Sequence, residues 1–348
     1  MTTDIARTRA AVIGGPGVLS IEDLEIPPPA RGEALVRIEY CGICGTDLHA
    51  VLEGWAPVGT VPGHEWSGTV VAVGPGVDAV TTGDLVVGGP STCGECEWCT
   101  SGHRSLCVTD PLRHGDYPHR GAFAELHLAR AAALHRVPPG MPARTAALAE
   151  PLAVALHGLT LADLPPEPSA IRVLVTGGGP LGLLVVAALA ARGVGHIVVS
   201  EPAEGRRRQA LAVGATAAVA PDGLPAAPAM PTECLPDGFD VCVETSGRAE
   251  AISGGLDLLR PTGRLVLLGT SAMAVTLNPL RILLNELVVT GGYCYDDDGI
   301  AAALDLLATG TLPIERLAAR EDTGLDDLLQ TMKRLSSGEL STKALVRP

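Results

Sequence analysis

Aromatic residues make up only 3% of this chain, so its interior has to be built from aliphatic side chains, chiefly Ala, Val and Leu, within a hydrophobic content of 47%. No run of about 18 apolar residues occurs, which excludes a membrane-spanning helix of ordinary length. The first residues, MTTDIARTRA, lack the apolar core of a signal peptide. Neither export nor membrane insertion is expected, and the predicted location is the cytoplasm. Basic charge is in deficit, with 25 Lys and Arg against 39 Asp and Glu and a net charge of −14. A nucleic acid or an anionic membrane would select a basic face, so neither is expected as a partner. A small-molecule ligand is.

What the chain does contain points to metal. Nine cysteines in a chain expected to sit in a reducing compartment are better explained as ligands than as disulfides. The stretch Cys41–Glu65, CGICGTDLHAVLEGWAPVGTVPGHE, gathers a thiol at Cys44, a hydroxyl at Thr46, imidazoles at His49 and His64 and carboxylates at Asp47 and Glu65. Turn-forming residues surround Cys44, and Pro62-Gly63 forces a turn just before His64, so the two clusters can converge. Zinc takes sulfur, imidazole and oxygen in a tetrahedron, and a catalytic zinc keeps one position open. Taken alone, the stretch also fits Cys44 as a small buried hydrophobe with His64 and Glu65 as a surface pair.

A second cluster lies at Ser91–Cys107, STCGECEWCTSGHRSLC, where Cys93, Cys96, Cys99 and Cys107 follow a C-x2-C-x2-C-x7-C spacing. Four thiols this close can close a tetrahedron around one structural zinc. The first spacings also occur in ferredoxin-type iron–sulfur runs, but the last gap is seven and no proline follows Cys107. His103 and His114 read as surface residues.

At 348 residues the chain is too long for one ordinary core, and two domains are expected. Up to about Val137 short β-like runs broken by turns predict an antiparallel, barrel-like domain, with strands at Ala34–Tyr40, Thr69–Val73, Leu85–Val87 and Phe123–Leu128. Residues 144–161 read as one helix carrying Glu150-Pro151 within an apolar stretch. Glu150 is there either as a third metal ligand or as a helix-start carboxylate favoured by the dipole. Beyond Leu164-Pro165-Pro166 the pattern changes. An apolar strand at Ile171–Thr176 runs into Gly177-Gly178-Gly179-Pro180-Leu181-Gly182 and an apolar helix, which is G-x-G-x-x-G at a strand-to-helix turn. Gly177 suits the tight turn, Gly179 a close approach by pyrophosphate, and Gly182 close packing of helix on strand. Glu201 ends the next strand, where an acid binds a ribose 2′-hydroxyl, and Arg206-Arg207-Arg208 follow as either a solvated face or a phosphate clamp. Further strands at Ala215–Val219, Phe239–Glu244, Arg264–Leu268 and Leu287–Thr290 complete a six-stranded doubly wound sheet.

With CGICGTDLH, GHEWSG, the four-cysteine lobe, EPLAVALHG and VTGGGPLG in this order, the sequence resembles the zinc-dependent medium-chain dehydrogenase/reductase superfamily over essentially its whole length. The match is closer to its polyol and threonine dehydrogenase branch. The resemblance implies an α/β protein made of a GroES-like β-rich catalytic domain and a Rossmann domain. The boundaries are residues 1–153 with the zinc lobe at about 91–108, then 154–293, with 294–348 returning to the catalytic domain. It implies two zinc ions per chain. Cys44 and His64 correspond to catalytic zinc ligands, Glu150 sits where the family places a third, and Glu65 is the acid that binds zinc directly or by turns in some members. Thr46 and His49 match a proton relay, and Asp47 an acid that orients the ligand histidine.

With Glu201 in place of the commoner Asp, NAD is favoured over NADP. The expected reaction is hydride transfer between a nicotinamide cofactor and a secondary alcohol of the polyol, sugar, cyclitol or amino-alcohol kind. Simple primary alcohols, a zinc-free enone reductase and a non-catalytic zinc scaffold are the competing readings. Trp55, Trp66, Tyr293 and Tyr295 are candidate pocket residues, while Asp296, Asp297 and Asp298 are expected to cap the helix that follows. A homodimer or homotetramer is expected.

Overall fold

The computed structural model describes residues 6–89, 92–108, 121–296 and 298–348, so Ser91, His114 and Asp297 lie outside the described residues. The chain divides into two compact units, one formed by Met1–Pro151, Asp296–Thr309 and Ala318–Pro348, the other by Leu152–Tyr295 and Gly310–Leu317. Among the described residues no helix is long and apolar enough to cross a membrane.

The first unit opens on a hairpin, β1 (Ala6–Gly15) with β2 (Val18–Ile26), paired antiparallel. Sequence patterning does not reveal it, because β2, VLSIEDLEI, puts its acids outward and leaves only Ile26 buried. The main sheet of this unit is built on β3 (Glu33–Gly42), which leads into helix α1 (Gly45–Leu52). Beyond come β4 (Glu65–Val73), β5 (Leu85–Gly88), the short α2 (Glu97–Thr100), β6 (Leu126–Arg130) and β7 (Leu134–Arg136). The order is β14-β3-β4-β5-β7, with β6 pairing β3 and β14 (Leu345–Val346) brought back from the C-terminus. Strand β4 begins at Glu65, earlier than its apolar run suggests, because Glu65, Trp66 and Ser67 pair with Gly42, Cys41 and Tyr40 of β3. Trp66 is core: its ring is buried among Ile38, Val86 and Leu134 and meets His127 edge-on at 5.2 Å.

The helix expected over residues 144–161 is broken into α3 (Ala143–Ala146) and α4 (Ala149–Leu161). Pro151 has no N–H and its ring excludes the carbonyl four residues earlier, so a helix containing it must start just before it. That restart places Glu150 in the first turn of α4.

The second unit holds six parallel strands: β8 (Arg172–Thr176), β9 (His196–Ser200), β10 (Ala217–Val219), β11 (Phe239–Glu244), β12 (Leu259–Leu267) and β13 (Val288–Gly291). Their order is β10-β9-β8-β11-β12-β13, which in sequence ranks is 3-2-1-4-5-6, the doubly wound dinucleotide-binding order. The strand order reverses beside β8, and such folds bind ligands at that reversal. Helix α5 (Pro180–Ala191), PLGLLVVAALAA, follows β8 and is buried from Gly182 to Leu189. A helix apolar on every face has to be buried on every side, and it packs on β8 and β9 with α6 (Glu204–Ala212) alongside. The remaining helices of this stretch are α7 (Ala249–Asp257) and α8 (Pro279–Leu284).

Beyond the sheet, α9 (Gly299–Ala308) belongs to the first unit, α10 (Ile314–Leu317) to the second, and α11 (Leu328–Ser336) again to the first. Asp298 stands at the start of α9 without a side-chain cap bond. Its helical backbone does not place the carboxylate over the first amides as the extended N-cap conformation does. In α11, Leu328, Thr331, Met332 and Leu335 form the buried stripe.

Candidate active site

Cys44 has extended backbone and starts α1, and the Asp47 carboxylate, three residues on, accepts its N–H at 2.9 Å. The other oxygen of Asp47 accepts the N–H of Gly63 at 3.2 Å and lies 3.7 Å from Nδ1 of His64. One buried carboxylate therefore ties the helix start to the turn that presents the imidazole. Gly63 makes that turn with φ of +101°, and a Cβ there would come within 2.7 Å of the Phe123 backbone nitrogen.

These turns bring donors from two chain segments together. Ligand atoms of Cys44, His64 and Glu65 all lie within 4.8 Å of one another. Burial pulls the His64 imidazole down, yet the Asp47 carboxylate and the Cys44 thiol hold it well above the ordinary imidazole value. Asp47 is raised, first by burial, with His64 pulling the other way. Sulfur, imidazole and carboxylate, with acids gathered around them, fit a zinc that keeps an open coordination position. The acid on the Nδ1 side of His64 is the arrangement that fixes a ligating imidazole.

Glu65 has a partner that sequence reading did not find. Nζ of Lys343 lies 2.7 Å from each Glu65 oxygen and 3.1 Å from the Ile43 carbonyl, all of it buried. Burial pulls the Lys343 ammonium down, but Glu65 and then Cys44 keep its pKa above the ordinary lysine value. Gly42 permits this, since a Cβ on it would collide with the Glu65 carboxylate. The signal lay in composition. The chain has only two lysines, Lys333 and Lys343, and the second sits in the apolar run KALV. Glu150 stands outside the three-residue group; burial pushes it up to about 7, with His64 the strongest opposing influence.

Thr46 and His49 are one helical turn apart on α1 and so share a face. The Thr46 hydroxyl is 3.6 Å from the Cys44 sulfur. Nδ1 of His49 is 3.0 Å from a Glu53 oxygen, at ion-pair distance but off the line of a hydrogen bond, and the ring stacks on Trp55.

In the four-cysteine lobe, Sγ of Cys93 lies 3.9 Å from that of Cys99 and 3.6 Å from that of Cys107, and Cys96 lies 3.5 Å from Cys99. A tetrahedron with Zn–S bonds of about 2.3 Å has sulfurs about 3.8 Å apart, so the four thiols fit one zinc. A disulfide would need a much shorter separation, and a multinuclear iron cluster would spread its thiolates wider. The amides of Cys93 and Cys96 point at Sγ of Cys107 and Cys93, each at 3.3 Å. His103 stays off the cluster, edge-on to Trp98.

At the dinucleotide turn Gly177 has φ of +100°, Gly179 precedes α5 with extended backbone, and Pro180 stands at its start. A side chain on Gly182 would strike the Gly177 carbonyl, whereas one on Gly179 would meet nothing within 4 Å. The turn is therefore closed toward the sheet and open at the N-terminus of α5, where a pyrophosphate would meet backbone N–H groups. Leu181 is half-buried in the first turn of the helix. Glu201 is buried, its oxygens accepting the N–H groups of Gly178 and Ala203, each at 2.8 Å. The arginine run is split. Arg206 flanks Gly178, Arg207 donates to the carbonyls of Glu201 and Pro202, and Arg208 pairs with Glu204.

Sequence reading also passed over Thr245, whose hydroxyl donates to the carbonyls of Thr176 and Gly177 and braces the turn. Glu244, wholly buried, accepts the N–H groups of Ser246 at 2.6 Å and Gly247 at 3.0 Å. An acid closing the apolar strand FDVCVE was the available sign.

Residues 30–139 match the family described as alcohol dehydrogenase GroES-like domain, and residues 180–309 the family described as zinc-binding dehydrogenase. L-threonine 3-dehydrogenase of Pyrococcus furiosus is 32% identical over 327 residues, 91% of this chain and 92% of that protein. A Sinorhizobium meliloti protein solved bound to NADP shares 32% identity at a TM-score of 0.85, with 99% of this chain and 100% of that one covered. The 2R,3R-butanediol dehydrogenase of Bacillus subtilis is 29% identical at a TM-score of 0.85, covering 98% of this chain and 99% of its own.

Proposed function

Because the chain belongs to the zinc-dependent medium-chain dehydrogenases, we propose that it oxidises a secondary alcohol bearing a neighbouring hydroxyl or amine, or reduces the matching ketone, with NAD as the preferred cofactor. The observation that carries this reading is the convergence of Cys44, His64 and Glu65, in a chain that also holds an intact dinucleotide turn. The catalytic role falls to the first unit and the cofactor to the second.

Cys44, His64 and a carboxylate from Glu65 or Glu150 would hold a zinc, which would supply the Lewis acidity that makes an alcohol easier to deprotonate, and the dinucleotide turn would hold a nicotinamide cofactor, which would supply the hydride acceptor. Asp47 keeps the His64 ring in place. Thr46 relays the alcohol proton, accepting it as its own hydroxyl proton passes on, and His49 carries a proton to solvent. Glu201 favours NAD, since a buried carboxylate repels a 2′-phosphate and still has lone pairs for a 2′-hydroxyl. Arg206, beside Gly178, is the residue positioned to favour NADP instead. The L-threonine and 2R,3R-butanediol dehydrogenases are named for substrates whose carbinol has an amine or hydroxyl neighbour, which supports the substrate class.

Steady-state rates with NAD and NADP over threonine, butanediol, sorbitol, inositols, aminocyclitols, ethanol and hexanol test the reading. Preference for the simple primary alcohols would overturn it. Exposed Val288 and Val289 on the terminal strand β13, with Leu280, Leu283 and Leu284 on α8, support assembly into a homodimer or homotetramer, which sedimentation measures. A cytoplasmic location agrees with nine cysteines, all among the described residues, none of which is joined in a disulfide.

A further inference from the structure

Helix α1 ends in an arrangement that its fold does not require. After Glu53 the chain turns through Gly54 in the left-handed region, φ +77°, and doubles back so that the Trp55 N–H donates to the His49 carbonyl at 3.2 Å. The indole then lies flat on the His49 imidazole, ring centroids 4.4 Å apart and planes 16° from parallel. Glu53 stands at the ring's edge, 3.0 Å from Nδ1. The imidazole is thus held from behind by its helix, across its face by an aromatic plane and along one edge by a carboxylate.

A histidine on the last turn of a short surface helix ordinarily samples several rotamers. This one is restrained, although its side chain is 25% exposed and Trp55 is 37% exposed. Burying a large aromatic elsewhere in a chain with so few would have stabilised the core more. With Nδ1 enclosed, 3.0 Å from a Glu53 oxygen but off the line of a hydrogen bond, Nε2 is the nitrogen left to receive a proton, and the partial exposure lets that proton pass on to water. We propose that Trp55 is a positioning residue for proton exit, holding His49 in the one orientation in which Nε2 takes up the proton released by the alcohol.

The proposal rests on the reading of His49 as the relay. One proton leaves the alcohol, resides on Nε2 and is lost to water or buffer in each turnover, while the hydride goes to the oxidised nicotinamide, so the relay itself needs no further reactant. The proposal gives Trp55 no contact with the reacting atoms; its effect acts through His49, on which its ring is stacked. It is therefore a statement distinct from the alternative in which Trp55 forms a wall of the alcohol pocket.

The test uses the zinc-loaded, full-length protein and the variants Trp55→Phe, Trp55→Ala and His49→Gln. In proton NMR the His49 ring resonances, assigned by their loss in His49→Gln, should be shifted upfield by the indole ring current in wild type. The shift should persist in Trp55→Phe and vanish in Trp55→Ala. In dilute buffer the first-turnover rate of cofactor reduction should fall roughly tenfold in Trp55→Ala and stay within about twofold in Trp55→Phe, inside the range general acid–base groups supply. Added imidazole should restore most of the lost rate, while KM for the alcohol, zinc content and NADH affinity remain those of wild type. A raised KM at unchanged first-turnover rate, or an unshifted His49 resonance in wild type, overturns the proposal and makes Trp55 a pocket residue. If His49→Gln itself turns over at full rate, the relay reading fails. If His49→Gln is slow and Trp55→Ala is not, only the present proposal fails.

Discussion

Two groups of side chains in this protein that could hold a metal, one made wholly of thiols and one with a single thiol, are built in contrasting ways. Cys93, Cys96, Cys99 and Cys107 come from one stretch of fifteen residues, carry no second kind of donor, and are linked by amides that point at their own sulfurs. Cys44, His64 and Glu65 come from a helix start, a turn and a strand start, and each is held by a residue outside the set: Asp47 holds the first two, Lys343 the third. A group made of four thiolates leaves a bound ion no free position and serves the fold. One made of three mixed donors leaves a position for substrate. The difference teaches that ligand identity alone does not separate a structural from a catalytic site; how many donors converge, and what supports them, does.

The comparison is sharpest where a ligand is removed. Cys44→Ser should lower turnover by at least about 10³-fold, because Lewis-acid stabilisation is worth several kcal/mol. Metal analysis should find one zinc in place of two, and the melting temperature should barely move. Retained activity in that variant would mean the three-donor group is not catalytic. Cys96→Ser should do the reverse, costing about 10 °C in melting temperature, on the order of 5 kcal/mol for a chain of this size, with turnover of the folded fraction kept within about threefold. If both variants lose activity equally while both stay folded, the division of labour between the two sites is wrong.

The supporting residues give smaller effects. Lys343→Met strands the buried Glu65 carboxylate and should destabilise the metal-free protein by roughly 3 kcal/mol. The zinc-loaded protein should lose less, because the cation replaces the ammonium as a partner for Glu65; equal losses measured by denaturant titration with and without zinc would show that Glu65 does not turn to the metal. Smallest is Glu201→Ser at the dinucleotide turn, which should reduce the preference for NAD over NADP by about tenfold, equivalent to 1.4 kcal/mol. A wild-type preference for NADP would instead assign Arg206 a phosphate-binding role.

Local spacing was enough to read the four-cysteine lobe and the turn from Gly177 to Gly182, since in both the contacts are made by neighbours in the chain. It also gave β11 with the bounds the structure shows, because a largely buried parallel strand reads as a mostly apolar run. The hairpin of β1 and β2 escaped notice because its second strand is mostly exposed, and an acidic outer face carries little apolar signal. The helix break before Pro151 follows from local chemistry and could have been read.

By itself, then, the sequence determined the fold class, the family, the four-thiolate site and the cofactor turn, each of which depends on residue type at short range. Only the tertiary structure decided that a Glu65 oxygen lies within 4.8 Å of the Cys44 and His64 donor atoms, that Lys343 pairs with Glu65 across 278 residues of chain, and that Trp55 lies on His49 rather than in the core. The reason is physical. A buried charge is tolerated only beside its partner, and where that partner comes from is settled by which strands pair, in this case β14 against β3, not by any pattern either residue carries in its own neighbourhood.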